Sequence, residues 1–96
     1  MTLDGKQRRK LTALGHHLSV VVQVGHEGVT SGVLAAVEQA LWDHELVKVK
    51  LASEDRELRK EQIAALAGGT GSEVAQVLGR TALLYKPNPD EPRIEI

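Results

Sequence analysis

The stretch VVVQVGHEGVTSGVL, residues 20–34, combines the pattern of a β-strand with that of a helix start, across a loop that carries two glycines. Residues 20–24 hold four valines, and a β-branched run of this length is too short for a helix and favours a buried strand. Thr30 is a typical helix N-cap, and Val29 and Leu34 stand at the two positions of a hydrophobic staple. The stretch therefore predicts a strand, a glycine loop and a helix in direct succession.

The segments on either side of this unit have their own periodicity. Upstream, apolar residues recur at helical spacing opposite the basic segment 6–10, at Leu11, Leu14 and Leu18. We therefore expect an amphipathic first helix with a basic outer face. Downstream, the segment 46–52 alternates strictly between apolar and polar residues, which predicts a strand with Lys48 and Lys50 on a solvent-exposed face.

The segment 53–69 has the pattern of a third helix. Ser53 or Asp55 is a suitable N-cap, and Gly68 and Gly69 can adopt the left-handed conformation that ends a helix. The apolar positions that we expect to face the core are Leu58, Ile63 and Leu66.

Two strand-like segments, EVAQVLG and TALLYKP, close the domain in a hairpin that turns at Gly79 and Arg80. The predicted element order is therefore αβαβαββ. A strand, a helix and a strand in succession imply parallel pairing, and the hairpin adds an antiparallel pair, so we expect an α/β two-layer sandwich on a four-stranded mixed sheet. Residues 1–87 are expected to form this single domain, and the acidic, proline-rich segment 88–96 to be a mobile tail.

Composition narrows the class of protein. Ninety-six residues with 42% hydrophobic content suit one compact domain. The absence of cysteine excludes disulfides and thiolate metal sites, and it fits a reducing compartment. No segment approaches the roughly 18 apolar residues of a membrane helix, so we expect a cytoplasmic protein. The net charge is only −1, yet four Lys or Arg residues lie within 6–10 and none within 11–47, a segregation that allows a basic patch.

The loop between the first strand and the second helix has the chemistry of an anion site. It leads into a helix N-terminus, whose unpaired N–H groups and dipole attract anions such as phosphate. The dinucleotide fingerprint G-x-G-x-x-G and the P-loop pattern are both absent. What remains is a Gly-x-x-Gly pattern at Gly25 and Gly28, similar to the loop with which KH modules clamp a nucleic-acid backbone. Taken alone, the pattern fits an ordinary strand-to-helix turn better.

Five blocks of the sequence, spread over residues 6–87, are KQRRKLTALGHHL, VVVQVGHEGVTSGVL, EQALWDHELVKVKL, DRE and QVLGRTALLYKP. Together they resemble the CRM domain, the YhbY-like family of RNA-binding and ribosome-maturation proteins. The resemblance implies the αβαβαββ fold, similar to the C-terminal domain of bacterial translation initiation factor 3. It also implies binding to ribosomal RNA in large-subunit precursors and a role in ribosome assembly.

The resemblance further implies which residues contact RNA. These are the loop residues Gly25, His26, Glu27 and Gly28, the first-helix residues Lys6, Arg8, Arg9 and Lys10, and the later basic residues Lys48, Lys50, Arg56, Arg80 and Lys86. His26 and Glu27 depart from the family pattern, in which a basic or neutral residue is frequent between the glycines. A carboxylate beside a phosphate is unfavourable unless it points away. Ser19 and Val20 also stand where the family often has a Lys-Pro pair.

Other functions fit the sequence less well. The four histidines match no zinc-ligand spacing, and no nucleophile, base and orienting group form a recognisable set. We therefore expect no metal, no cofactor, no small-molecule substrate, no membrane contact and no enzymatic activity. Because Trp42 and Tyr85 are the only aromatic residues, recognition is expected to use RNA backbone and shape more than base stacking. The alternative that stays open is a protein–protein interaction adaptor that uses the basic first helix.

Overall fold

The computed structural model of the chain describes residues 2–96. The elements in this range are α1 (Gly5–Gly15), β1 (Val20–Val24), α2 (Ser31–His44), β2 (Leu46–Leu51), α3 (Arg56–Thr70), β3 (Glu73–Leu78) and β4 (Thr81–Tyr85). The sheet has the order β1-β2-β4-β3, in which β1 and β2 are parallel and the other two pairs are antiparallel. The predicted element order and the four-stranded mixed sheet are confirmed. Within residues 2–96, no helix has the length and apolar character that crossing a bilayer requires.

The sheet carries helices on both faces. On one face, α2 and α3 pack on the strands around a core made of Val24, Val37, Leu41, Val47, Val49, Leu51, Ile63, Leu66, Ala82 and Leu84. On the other face, α1 contributes to a smaller core made of Leu3, Leu11, Leu46, Ala75, Leu83 and Tyr85. The predicted two layers are thus the sheet with α2 and α3, and α1 adds a short third layer. The lysine face of β2 is in consequence partly covered instead of fully solvated.

Side-chain caps fix where α2 and α3 begin. The Thr30 hydroxyl accepts the N–H of Val33 at 3.1 Å, which confirms the predicted start of α2. At α3, the carboxylate of Asp55 accepts the first-turn N–H groups, whereas Ser53 accepts the N–H of Asp55 at 3.1 Å. Asp55 is therefore the cap, and Ser53 shapes the turn that precedes it.

The end of α3 differs from the prediction. The helix does not stop at Gly68 and Gly69 but continues to Thr70, and Gly71 takes the left-handed C-cap with a φ of 67°. Gly69 lies where α2 and α3 approach each other, since a Cβ there would stand 2.7 Å from Cδ2 of Leu34. This glycine permits close helix packing, and the next glycine along the chain ends the helix.

Two predictions of burial are wrong. β1 is not a buried strand: it forms one edge of the sheet, where Val24 is buried but Val20 and Val21 are 41% and 51% exposed. The reason is topological, because α1 packs on β2, β3 and β4, to one side of β1. Leu58, in the first turn of α3, is 40% exposed and lies beside the glycine loop instead of in the core.

One buried carboxylate holds the C-terminal segment. Glu45, between α2 and β2, is fully buried; its Oε1 accepts the N–H groups of Arg93 at 2.6 Å and Ile94 at 2.8 Å, and its Oε2 accepts that of Asn88 at 2.7 Å. Burial by itself raises the pKa of Glu45, but these donors and the Arg93 charge outweigh it and lower the pKa below the ordinary value. These contacts tie residues 88–94, part of the segment predicted to be a mobile tail, to the end of α2.

Candidate nucleic-acid interface

Three loops meet at one end of the sheet, where β1 and β2 finish and β4 begins. Because β1 and β2 are parallel, the loops that follow them, 25–30 and 52–55, leave the sheet side by side. β4 runs antiparallel to β2, which brings the 79–80 turn of the β3–β4 hairpin to the same end of the sheet. There the N–H of Leu51 donates to the carbonyl of Arg80 at 2.7 Å. We refer to these three loops together as the loop edge.

The glycine loop is a closed turn in which the two glycines differ. The N–H of Gly28 donates to the carbonyl of Gly25 at 3.1 Å, so His26 and Glu27 form the exposed tip. Gly28 has a φ of 79°, a left-handed conformation that side chains disfavour. Gly25 is outside that region, and, apart from Gly25 and its two chain neighbours, no atom of residues 2–96 lies within 4 Å of where its Cβ would stand. The fold therefore explains Gly28, whereas the surroundings of Gly25 are open to a ligand.

The loop leads directly into the N-terminus of α2. The Thr30 hydroxyl takes the N–H of Val33, while the N–H groups of Ser31 and Gly32, in the first turn, have no acceptor within the helix. These donors and the helix dipole favour an anion at this position. The arrangement can bind a phosphate through backbone groups, with room for close approach at Gly25.

A groove of about 260 Å³ separates the glycine loop from the start of α3. Its lining consists of Gly25, His26, Ala52, Ser53, Leu58 and Gln62. Glu27 is exposed and is not part of this lining, so the carboxylate that the sequence places next to a phosphate lies outside the groove. Of the two residues at the tip of the turn, His26 is the one that lines it.

Three of the predicted basic residues lie at or beside the loop edge. Lys50 pairs with Thr81 next to the hairpin turn, Arg56 is the first residue of α3, and Arg80 is in the turn itself. The Arg80 guanidinium donates to Oε1 of Glu54 at 3.1 Å. An exposed ion pair of this kind contributes at most about 1 kcal/mol, so a phosphate can displace Glu54 from Arg80.

Two further cations extend this basic surface and were absent from the predicted set. With Arg56, the side chains of Arg59 and Lys60 line a groove of about 580 Å³ between α3 and β3. Arg59 also donates to the carbonyl of Ser53 at 3.0 Å, which ties α3 to the loop before it. The three residues stand at positions i, i+3 and i+4 of one helix, a spacing that puts them on one face and that the sequence alone displays.

The other predicted residues lie away from the loop edge. Lys86 follows β4 at the opposite end of the sheet, where its Nζ donates to the carbonyl of Thr70 at the end of α3, at 2.9 Å. The half-buried Arg8 donates to the carbonyl of Val74 in β3 at 2.5 Å. Both side chains thus support the fold. The remaining four are on the α1 side of the sheet: exposed Lys6, Arg9 and Lys10, and half-buried Lys48.

The two aromatic side chains are also away from the loop edge. Tyr85 is buried, and burial, together with the charge of Glu45, raises its pKa. Trp42 is 50% exposed, but it lies beside Pro87 and Asn88 at the opposite end of the sheet.

A mixed four-stranded sheet, whose strand β1 passes through a glycine turn into a helix N-terminus flanked by basic residues, defines a small α/β module. The profile of the CRS1 / YhbY (CRM) domain family matches residues 3–86. The chain belongs to this family.

Relatives of the chain are named for RNA binding. A Pseudomonas aeruginosa protein named "Probable RNA-binding protein" is 43% identical over 89 residues, which are 93% of this chain and 86% of the relative. A Haemophilus influenzae protein named "RNA-binding protein" is 43% identical over 95 residues, 99% of this chain and 95% of the relative. A hypothetical Staphylococcus aureus protein, whose solution structure is described as that of a candidate RNA binder, is 30% identical to this chain. The two structures superpose with a TM-score of 0.78, over 96% of this chain and 100% of the Staphylococcus chain.

Proposed function

We propose that the chain binds RNA at the loop edge, in the cytoplasm, and that this RNA is ribosomal RNA of large-subunit precursors, whose assembly the protein assists. Gly25 carries the proposal. Neither its backbone conformation nor the packing of residues 2–96 requires a glycine at this position. The close approach of an anion to the start of α2 does require one, because a side chain would stand in its way. The names of the relatives support RNA as the source of that anion. The proposed role is binding, without catalysis.

In the proposed binding mechanism, backbone N–H groups contact the RNA at short range and basic side chains attract it at longer range. The N–H groups of the glycine loop and of the first turn of α2 hold one phosphate in a fixed position. Around them, Arg56, Arg59, Lys60 and Arg80 supply attraction that does not depend on RNA sequence and that weakens with salt. Exposed residues of α1 add charge on the other side of the sheet.

The test compares two glycines with equally open surroundings. Gly25→Val places a side chain where the phosphate is expected, and Gly68→Val places the same side chain at the other end of the molecule. Losing one hydrogen bond to a charged group costs roughly 1.5–3 kcal/mol, so Gly25→Val is expected to weaken binding by at least about tenfold. Fluorescence anisotropy with a fragment of large-subunit ribosomal RNA measures this loss, and thermal unfolding checks that stability is retained.

Gly68→Val is the matched control and is expected to bind RNA like the wild type. If both variants bind like the wild type, or if both lose affinity equally, the glycine loop is not the binding site. Sedimentation of a lysate through sucrose tests the ribosomal part separately. The wild type is expected to travel with large-subunit precursors and Gly25→Val to stay at the top. A wild type that stays at the top while still binding RNA would contradict the assembly role alone.

A further inference from the structure

The groove beside the glycine loop has a buried amide at its base. Gln62 is 9% exposed, and within residues 2–96 its Oε1 is the buried side-chain oxygen or nitrogen that has no hydrogen-bond partner. Its Nε2 stands 3.7 Å from the position that a Cβ on Gly28 would occupy, so the amide lies directly under the turn. A buried polar atom without a partner costs free energy, and in native structures it calls for an explanation. A ligand in the groove can supply the missing partner once the amide has turned its oxygen towards it.

The rest of the lining suits a flat ring with a polar edge. Leu58 and Ala52 offer aliphatic surface, His26 offers an aromatic ring, and Ser53 offers a hydroxyl group. RNA-binding modules stack unpaired bases on aromatic rings, histidine included, and bind the base edges through hydrogen bonds. At about 260 Å³, the groove is smaller than the sites that hold whole drug-sized ligands, and it has room for one ring system.

The position of the groove favours a base over a second phosphate. The groove adjoins the backbone N–H groups of the loop, where the proposed phosphate is held, and the base of the same or the next nucleotide lies within reach. The cationic side chains Arg56, Arg59 and Lys60 line the other groove, between α3 and β3, whereas the lining of this one contains no Lys, Arg, Asp or Glu. The buried amide therefore meets an uncharged edge and not a phosphate oxygen.

We propose that this groove receives one unstacked nucleobase of the bound RNA and that Gln62 reads its edge, with adenine preferred. The inference rests on the proposed function and adds base selection to it. A carboxamide presents one donor and one acceptor side by side, and it pairs with the 6-amino group of adenine and the adjacent ring nitrogen. Because the last torsion of a glutamine is broad and no hydrogen bond fixes it here, the amide can turn its Oε1 from the buried position towards the base.

The experiment uses single-stranded RNA hexamers of uridine that differ at one central position, which is adenine, guanine, cytosine or uridine. Anisotropy titrations with the full chain are expected to show adenine bound about tenfold more tightly than uridine. Gln62→Met keeps the length of the side chain and removes the amide, and it is expected to bind all four hexamers at the uridine level. Gln39→Met, on the exposed face of α2, is the matched control and keeps the preference.

A change on the RNA side makes the test independent of how the variant folds. A hexamer in which purine, without the 6-amino group, replaces adenine keeps the ring and loses the donor, so the wild type is expected to bind it like uridine. Equal binding of all hexamers by the wild type, or a preference that survives Gln62→Met or the loss of the amino group, would overturn the inference and leave RNA binding intact. A wild type that binds no RNA would refute the proposed function and the inference together.

Discussion

The Glu45 carboxylate is the group whose removal we expect to cost the most stability. It is fully buried and accepts the backbone N–H groups of Asn88, Arg93 and Ile94 at 2.7, 2.6 and 2.8 Å. Hydrogen bonds to a charged group contribute roughly 1.5–3 kcal/mol each, and desolvation of the carboxylate offsets part of their sum. We therefore expect Glu45→Ala to lower the free energy of unfolding by about 3–5 kcal/mol.

Urea denaturation measures this loss, and proteolysis locates it. For a domain of this size each kcal/mol shifts Tm by about 4–8 °C, so Tm is expected to fall by about 12 °C or more. Since Glu45 holds the N–H groups of both Arg93 and Ile94, trypsin is expected to cleave the bond between them faster in the variant. Glu91→Ala removes an exposed acid from the same segment and is the control; its effect is expected to stay within about 0.5 kcal/mol.

The lowered pKa of Glu45 adds a pH signature. A carboxyl group whose pKa is lower in the folded than in the unfolded protein stabilises the fold above its ordinary value of 4.5 and loses that contribution as pH falls through the folded-state value. The stability difference between the wild type and Glu45→Gln is therefore expected to be full at neutral pH and to shrink below about pH 4.5. A Glu45→Ala loss under about 1 kcal/mol, or a difference that stays constant on acidification, would refute this account.

Three other predictions concern the effect of single substitutions on stability. Gly15→Ala is expected to lower the free energy of unfolding by about 1–2 kcal/mol, because the added methyl group meets the buried side chain of Leu83. Gly68→Ala is expected to raise it by about 0.5–1 kcal/mol, since its surroundings are open and alanine favours a helix; thermal unfolding compares the two, and shifts of the same sign would contradict the packing argument. Gln62→Met is expected to retain stability or gain up to about 1 kcal/mol, because it removes a buried oxygen without a partner; a clear loss in urea denaturation would show that the amide supports the fold.

The elements that local pattern specifies could be predicted from the sequence. Thr30 caps α2 because a hydroxyl at that position binds the N–H three residues on, and Gly79 and Arg80 turn the hairpin between two alternating strands. The exposure of β1 could not be predicted, because it depends on the strand order and on which strands α1 covers. The same holds for Gly69, whose neighbour Leu34 belongs to another helix. Sequence patterns predict the helix or strand to which a residue belongs. Its burial depends on which other helices and strands pack against that element.

Glu45 shows the same limit more strongly. Its hydrogen-bond partners lie 43 to 49 residues further along the chain, in a segment whose composition is typical of a flexible tail. A glutamate at the end of a helix carries no sign of such a role in its own neighbourhood. The acidic and proline-rich composition of 88–96 predicts a mobile tail, and composition gives no sign that a single buried acceptor binds three of its backbone N–H groups.

Candidate site residues were predicted unevenly for a related reason. A count of basic residues cannot distinguish Lys86, which binds the carbonyl of Thr70 at the end of α3, from Arg56, which lines a groove. Both residues are basic and near turns in the sequence. Only the contact partners separate a cation that supports the fold from one that is available to a ligand. The sequence gives no signal for Gln62, because its unpaired buried oxygen becomes visible only in the folded structure.

The acidic residues near the glycine loop leave room for the proposed phosphate in a chain whose net charge is −1. Asp55 directs its carboxylate to the first N–H groups of α3, and Glu54 pairs with Arg80. Glu27 lies outside the groove lining. Because these carboxylates are interspersed with the cations, the opposite charges partly cancel at long range, and the proposed phosphate contact depends more on the short-range donors of the turn and of α2. The two glycines have different roles: Gly28 closes the turn that orients those donors, and Gly25 leaves the space beside them free of a side chain.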